Sequence, residues 1–443
     1  MRSKSLALSG WGRFPQAKTA AFRPERMSEV AACLKSDGAI LARGAGRSYG
    51  DQALNSPGAV VLTERLDRFL GLETGDAPLL TVEAGVSLGA IQRLLIPRGF
   101  MLPVTPGTGF ATVGGAIAND VHGKNHDADG SFGAHVAWID LLTAAGDVRR
   151  LTPDESPREF WATVGGAGLT GIILAAGLRL LKIPSNAVSL REERMPDLAA
   201  FLNGLRAARS ASRFSVGWID ALATGDRIGR GILETADLSP EGVAAKPRKA
   251  KAIPLNLPKF CLSRTNVKLF NAAYYHRIPR RGRQGLRAID EFLYPLDALA
   301  QWNRLYGKPG FSQFQAVLPD EAAETGLRAL LNAVSQGGTA SFLAVLKTLG
   351  AEGQGLLSFP QPGFTLALDL PRRAETGALL ERLEAITLDH GGRIYLAKDS
   401  ALSAAGFARM YPRLAEFQQI AAEMDPEGKF ASDQSRRLAL RGA

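Results

Sequence analysis

Short apolar runs separated by glycine-rich turns fill the first 184 residues. Ala39–Ala42, Ala59–Leu62, Leu79–Val82, Trp138–Leu142 and Leu174–Leu181 each have the length and β-type content of a strand. Met27–Lys35 and Leu88–Ile96 carry helical spacing between them. Strands alternating with helices predict an α/β or α+β unit. After Ile183-Pro184 the glycines thin out and longer helical periods begin, so Pro184 and Ser185 mark a boundary. Phe311–Leu318 reads as a further strand. The tail adds a strand-like run at Ile394–Ala397 and a helix through Arg409–Met424. There is no internal repeat and no low-complexity tract.

Composition narrows the class. The chain has 443 residues, 46% apolar and 22% charged, which excludes disordered, collagen-like and coiled-coil proteins. No apolar run approaches the length of a membrane span, and Met1–Gly12 is too weak for a secretory signal. Two cysteines, Cys33 and Cys261, exclude a disulfide framework and a Cys-rich metal site, and a cytosolic location is expected.

The net charge of +10 is unevenly placed. Between Ala244 and Ile289 no acidic residue occurs, while Lys246, Arg248, Lys249, Lys251, Lys259, Arg264, Lys268, Arg277, Arg280, Arg281, Arg283 and Arg287 all fall there. Two readings fit: a solvated loop, or a patch that holds the protein peripherally near anionic lipid headgroups. Pro247, Pro254, Pro258 and Pro279 argue against one continuous basic helix. No nucleic-acid module is recognisable, so no nucleic-acid partner is expected.

Three glycine loops carry the candidate chemistry. The first, Arg43-Gly44-Ala45-Gly46-Arg47-Ser48-Tyr49-Gly50-Asp51, follows a strand-like run, and its glycines allow backbone N–H groups to turn toward a phosphate. It does not have the dinucleotide-binding fingerprint of a Rossmann unit. The second combines Pro106-Gly107-Thr108-Gly109 with Thr112-Val113-Gly114-Gly115-Ala116-Ile117-Ala118-Asn119, and the third is Gly165–Ile172. Three such loops in one domain point to a pyrophosphate-containing cofactor, with Gly114, Gly115 and Ala116 able to lie flat against a planar ring.

Outside the loops, His122 follows an apolar run and precedes Gly123, a placement suited to a ring held over a cofactor or to a purely structural histidine. His122 and His126 lack the further ligands of a metal site, so no metal is expected. Gln313 and Gln315 alternate along Phe311–Leu318 and so share one face, presenting two amides to sugar hydroxyls. Lys347 could meet a phosphate as a point charge. The plain alternative for each is a solvated polar side chain.

Taken together, the loops resemble the flavin-binding domain of the vanillyl-alcohol-oxidase superfamily, the PCMH type, over residues 10–184. A closer resemblance, to the decaprenylphosphoryl-β-D-ribose 2′-oxidase family, rests on Ile117–His126, Gly130–Gly133, Phe160–Gly166 and Ala397-Lys398-Asp399-Ser400. Phe311–Pro319, Ser358-Phe359-Pro360 and Phe430-Ala431-Ser432-Asp433 extend it almost end to end. The resemblance implies an α+β fold with a PCMH-type FAD-binding domain of two α/β subdomains over residues 1–184. A substrate domain with an antiparallel sheet flanked by helices would span 185–392, and residues 393–443 would return to the FAD domain.

By the same resemblance, FAD contacts fall on Arg43, Gly44, Ala45, Gly46, Arg47, Ser48, Tyr49 and Gly50, and on Pro106, Gly107, Thr108, Thr112, Val113, Gly114, Gly115, Asn119, Val121, His122 and Gly123. Gly168, Ile172, Tyr395, Ala397 and Lys398 complete that set. Arg47 stands where many superfamily members carry the histidine that bonds flavin, which implies non-covalent FAD. Lys398 and His122 are the implied catalytic residues, and Gln313, Gln315, Lys347, Thr365, Ala367 and Lys398 the implied sugar-phosphate site. Thr365 and Ala367 depart from the family's asparagine and cysteine, which bears on sugar or lipid preference and removes the cysteine captured by nitro-aromatic inhibitors. The implied activity is oxidation of the 2′-hydroxyl of a polyprenyl-phosphoryl ribose, with an NAD(P)H-dependent keto-reductase completing epimerisation toward an arabinose donor for cell-wall arabinan. An oxidase of soluble sugars, alditols or aldonolactones is the alternative within the superfamily, and a flavin-free binding protein the alternative outside it.

Overall fold

The computed structural model describes residues 2–244, 250–337 and 341–442. Lys246, Pro247, Arg248 and Lys249 of the basic stretch lie outside them. The strands up to Lys182 form three sheets, two of them extensive. The first has the order Lys4–Ser9, Gln16–Phe22, Ala59–Leu62, Ile40–Arg43, and its last three strands are parallel. Ala59–Leu62 is buried along its whole length, as parallel strands covered on both faces are. The second is antiparallel, in the order Phe69–Glu73, Leu79–Glu83, Ile172–Arg179, Val136–Leu142, Val148–Leu151. Ile172 and Leu174 pack with Ile40 and Val61, so the two sheets share a core.

From Ala187 onward an eight-stranded antiparallel sheet takes over. Its order is Arg283–Ala288, Ala187–Met195, Gly231–Leu238, Phe214–Ile219, Ala344–Leu349, Gly363–Pro371, Phe311–Leu318, Arg393–Ile394. Alternation decides its faces. Phe364, Leu366, Leu368 and Leu370 point to one side with Phe314, Ala316 and Leu318, into a core shared with Leu327, Leu330, Leu379 and Leu383. Those last four belong to the helices Ala323–Gln336 and Thr376–Asp389. Thr365, Ala367, Asp369, Gln313 and Gln315 therefore face the other way, toward the glycine loops.

The tail departs from its expected outline. Only Arg393–Ile394 pairs with the sheet. The Tyr395 carbonyl then accepts from Lys398 N and Asp399 N, closing a turn in place of a ladder, so Lys398 sits in a turn beyond the strand. The helix expected over Arg409–Met424 is two, Ala404–Met410 and Leu414–Met424, because Pro412 excludes helical geometry at Tyr411. Met27–Lys35 is α-helical only to Val30 and tightens into a 3₁₀ turn beyond it. The final segment crosses back to the first sheet, where Ile40 N donates to Lys429 O and Phe430 is fully buried against Ile40.

Candidate active site

A cleft with about 1250 Å³ of atom-free space, part of it open to solvent, separates the glycine loops from the eight-stranded sheet. Gly44, Ala45, Gly46, Arg47 and Ser48 enter it from the first loop. Pro106, Gly107, Thr108, Thr112, Gly114, Gly115, Asn119, Val121 and His122 enter from the second, and Gly168 from the third. Gln315, Lys347, Tyr395, Ala397 and Lys398 form the opposite wall.

The other residues singled out from the sequence stand behind that surface, each for a visible reason. Arg43 turns away, donating to Ala53 O at 2.8 Å and Ser9 O at 2.7 Å. Val113 is buried in the core of the second sheet. Ile172 points into the core between the two sheets, and its neighbour Ile173, on the other side of the strand, lines the cleft instead. Gly50 packs so closely on the Asp399 carbonyl that a Cβ would lie 2.0 Å from it. Tyr49 is buried with its ring under Lys398. Gly123 presents its carbonyl to Lys347 Nζ at 3.1 Å. Gln313 is turned to Asp369, Thr365 accepts from Gln315 at 3.1 Å, and Ala367 lies opposite Gln315 across the strands. The cleft also uses Ala118, Ala167 and Gly171 from the second and third loops, and Ala42, Gln52, Ala53, Thr63, Ala84 and Ala111, which sequence reasoning missed. Most are small residues with no chemistry to mark them, and only the register of their strands could have found them.

The walls suit a large polar ligand with a flat portion. A Cβ on Gly44 would fall 2.2 Å from Thr112 Oγ1, so only glycine lets the first loop lie against the helix that Thr112 caps. The space beside Gly107 is open, with no atom within 4 Å of where its Cβ would be. Arg47 Nε, Asn119 Oδ1 and His122 Nδ1 are buried with no partner among the described residues. Buried polar atoms are normally satisfied, so these three mark where a ligand's polar groups belong. The residues present therefore fit FAD. Arg47 itself lies between the rings of Trp11, at 4.1 Å, and Phe110, at 4.6 Å.

The opposite wall is cationic. Lys398 Nζ lies 4.0 Å over the Tyr49 ring, and burial pulls its pKa below that of a free lysine. The nearby Asp369 is fully buried, held by Gln313 and by Tyr306 Oη at 3.1 Å, and burial raises its pKa. Lys347 is pushed down to about 7 by burial and by its neighbours Lys124 and Lys398. His122 is held neutral, well below its usual range, first by burial and then by Lys347, His126 and Lys398. Gln315 Nε2 donates to His122 Nε2 at 2.9 Å, which assigns the ring proton to Nδ1. The His122 ring is flanked by Phe359 and Tyr395, and Tyr395 Oη donates to Asn119 O at 3.0 Å.

One ion triad fastens the two walls. Arg437 donates to Asp51 at 2.7 and 2.8 Å and to Asp399 at 2.7 Å. Asp51 ends the first loop and Asp399 follows Lys398. A backbone bond from Tyr49 N to Ala397 O, 2.9 Å, closes the same junction.

Among known proteins, a model of the FAD binding domain matches residues 19–152, and a model of D-arabinono-1,4-lactone oxidase matches residues 367–438. The chain is 37% identical to decaprenylphosphoryl-beta-D-ribose oxidase of Mycolicibacterium smegmatis, over 98% of this chain and 97% of the relative. It is 26% identical to an alditol oxidase of a Streptomyces species, over 98% of this chain and 99% of the relative.

Proposed function

The chain belongs to the decaprenylphosphoryl-β-D-ribose oxidase family of FAD-dependent oxidoreductases, and from that premise we propose that it oxidises the 2′-hydroxyl of a polyprenyl-phosphoryl-β-D-ribose to the ketone. The observation that carries this reading is the convergence of Lys398, Lys347 and Gln315 from one wall with His122 from the glycine-loop wall on a single cleft, Gln315 bonded to His122 across it. When bound, FAD supplies the two-electron acceptor for the hydride leaving C2′. The protein handles the proton. Lys398, its pKa lowered by burial, accepts it at Nζ from the 2′-hydroxyl. Lys347 meets the phosphate as a point charge, while Gln315 and the Nδ1–H of His122 orient the sugar. Asp369, Gln313 and Tyr306 hold the Lys398 surroundings from behind.

FAD is held without a covalent bond, since Arg47 occupies the place of the flavin-linking histidine. Residues 1–184 are assigned to the FAD-binding domain, 185–392 to the substrate domain and 393–443 to a segment returning to the first. The ketone product requires a separate NAD(P)H-dependent reductase to complete epimerisation. A polyprenyl tail places the reaction at a membrane surface, and no helix among the described residues is long and apolar enough to cross a bilayer.

The match to D-arabinono-1,4-lactone oxidase over residues 367–438 favours a second reading, oxidation of a soluble sugar, alditol or aldonolactone. Anaerobic bleaching of the flavin separates the two. Farnesylphosphoryl ribose should bleach it while a panel of free sugars, alditols and lactones does not. Bleaching by a free sugar at comparable concentration would reverse the choice.

A further inference from the structure

We infer that the face formed by residues 251–270 is a docking surface for a bilayer with anionic headgroups, its exposed apolar side chains entering the lipid beside the mouth of the cleft. The inference takes its motive from the polyprenyl substrate, but it stands on three observations of its own.

The first is exposure. Leu255 is 73% exposed, Phe260 70% and Leu269 66%, an unusual concentration of large bare apolar side chains within sixteen residues of chain. The helix Arg264–His276 explains Leu269. Val267 and Asn271, four residues apart, form its buried side, and a 100° step per residue sets Leu269 on the opposite side, away from the protein. Asn266 donates to Phe260 O at 3.0 Å, which brings Phe260 to the start of the same helix.

The second is charge. The structure divides the basic stretch into two groups. Arg277, Arg283 and Arg287 converge on Glu192, which forms ion pairs with all three, and Arg277 also meets Glu234. Lys251, Lys259 and Lys268, interspersed with the bare apolar residues, are exposed and form no ion pair among the described residues. Apolar side chains ringed by unneutralised lysines suit the boundary between acyl chains and anionic headgroups. A protein partner with an apolar patch would not call for the lysines.

The third is continuity with the cleft. Phe270 meets Phe342 with ring centroids 5.8 Å apart, and Phe342 stacks on Tyr306 at 5.6 Å. Tyr306 stacks on Phe311, Phe311 meets Tyr49, and Tyr49 lies under Lys398. On the other flank Asn256 accepts from Arg13, and Trp11, two residues before Arg13, covers the cleft residue Arg47. Bilayer and reacting sugar are thus set on either side of one aromatic layer, which suits a substrate with a polar head and a membrane-bound tail.

The test is co-sedimentation of the full-length, flavin-loaded protein with vesicles of phosphatidylcholine alone or with added phosphatidylglycerol. The parent should bind the anionic vesicles. Phe260→Ser/Leu269→Ser and Lys259→Glu/Lys268→Glu should each weaken that binding about tenfold or more, with the charge variant losing its salt sensitivity. Both variants should keep their flavin and still oxidise a short-chain soluble substrate, because no mutated residue touches the cleft. Binding of the parent equal to that of both variants, or no parental binding at all, overturns the inference. So does a parental dimer in size-exclusion chromatography that the apolar variant abolishes, which would assign the face to a second copy. Because sedimentation reads no turnover, failure of the proposed oxidation would leave these outcomes interpretable.

Discussion

Arg437 Nη2 donates to both Asp399 and Asp51 at 2.7 Å while its Nε holds the second oxygen of Asp51 at 2.8 Å, so a residue near the end of the chain joins the first glycine loop to the turn that bears Lys398. Both carboxylates are buried and take their ion pairs from this guanidinium, although Asp399 also accepts from Ala401 N, Leu402 N and Gln434 Nε2. Removing one member of a buried ion group leaves the others uncompensated.

Arg437→Ala should therefore lose about 3 kcal/mol of stability, the usual cost of stranding a buried charge. Chemical denaturation would measure it, and weaker flavin retention after dilution should accompany it. Unchanged stability would mean that water satisfies the two aspartates and that the triad is dispensable.

Lys398 lies under a second expectation. The neutral amine is the form that accepts a proton, so at saturating substrate the rate of flavin reduction should rise with pH through the pKa of Lys398 in the complex, which burial holds below that of a free lysine, and then level off. Lys398→Met should remove that rise and slow reduction by about 10²- to 10⁴-fold, the range for a lost acid–base group. Stopped-flow reduction across pH reads both, and a variant that keeps the same pH profile would exclude Lys398 as the acceptor.

Lys347 should show itself in KM. Its ammonium is charged below about 7, so attraction for the substrate phosphate is full at low pH and fades as pH climbs through that value. Lys347→Met should raise KM by about ten- to a hundredfold, as for a lost hydrogen bond to a charged group, with kcat little changed. It should also flatten the dependence of KM on pH and on salt. A fall in kcat with KM unaltered would place Lys347 in the chemistry and not in phosphate binding.

Acid precipitation offers the simplest check. With Arg47 in the first loop, all yellow colour should appear in the supernatant. Colour retained on the pellet would demand a covalent link elsewhere, and His122 would be the residue to examine by peptide mapping.

Local pattern reached some of these features and not others. Thr365 and Ala367 were reached only through the family resemblance, whereas the alternation of Gln313 and Gln315 along Phe311–Leu318 made their shared face readable from residue order alone. The glycine loops were readable for the same reason, since an uncommon residue type clusters where backbone must approach closely. Ile394–Ala397 misled because, beyond the paired Ile394, Leu396 is buried in the main core while Tyr395 and Ala397 pack with Val317, Leu349 and Phe359, which mimics a strand's apolar signature without a ladder. The Arg437 triad was out of reach, because residues 386 positions apart meet only after both sheets have formed. Asp369 was equally silent, one carboxylate among 43 acidic residues until the fold enclosed it.

The triad has a kinetic corollary. With Asp51 and Asp399 tied to one arginine, parting the two walls at that edge requires breaking a buried ion group, a barrier that Arg437→Ala should lower.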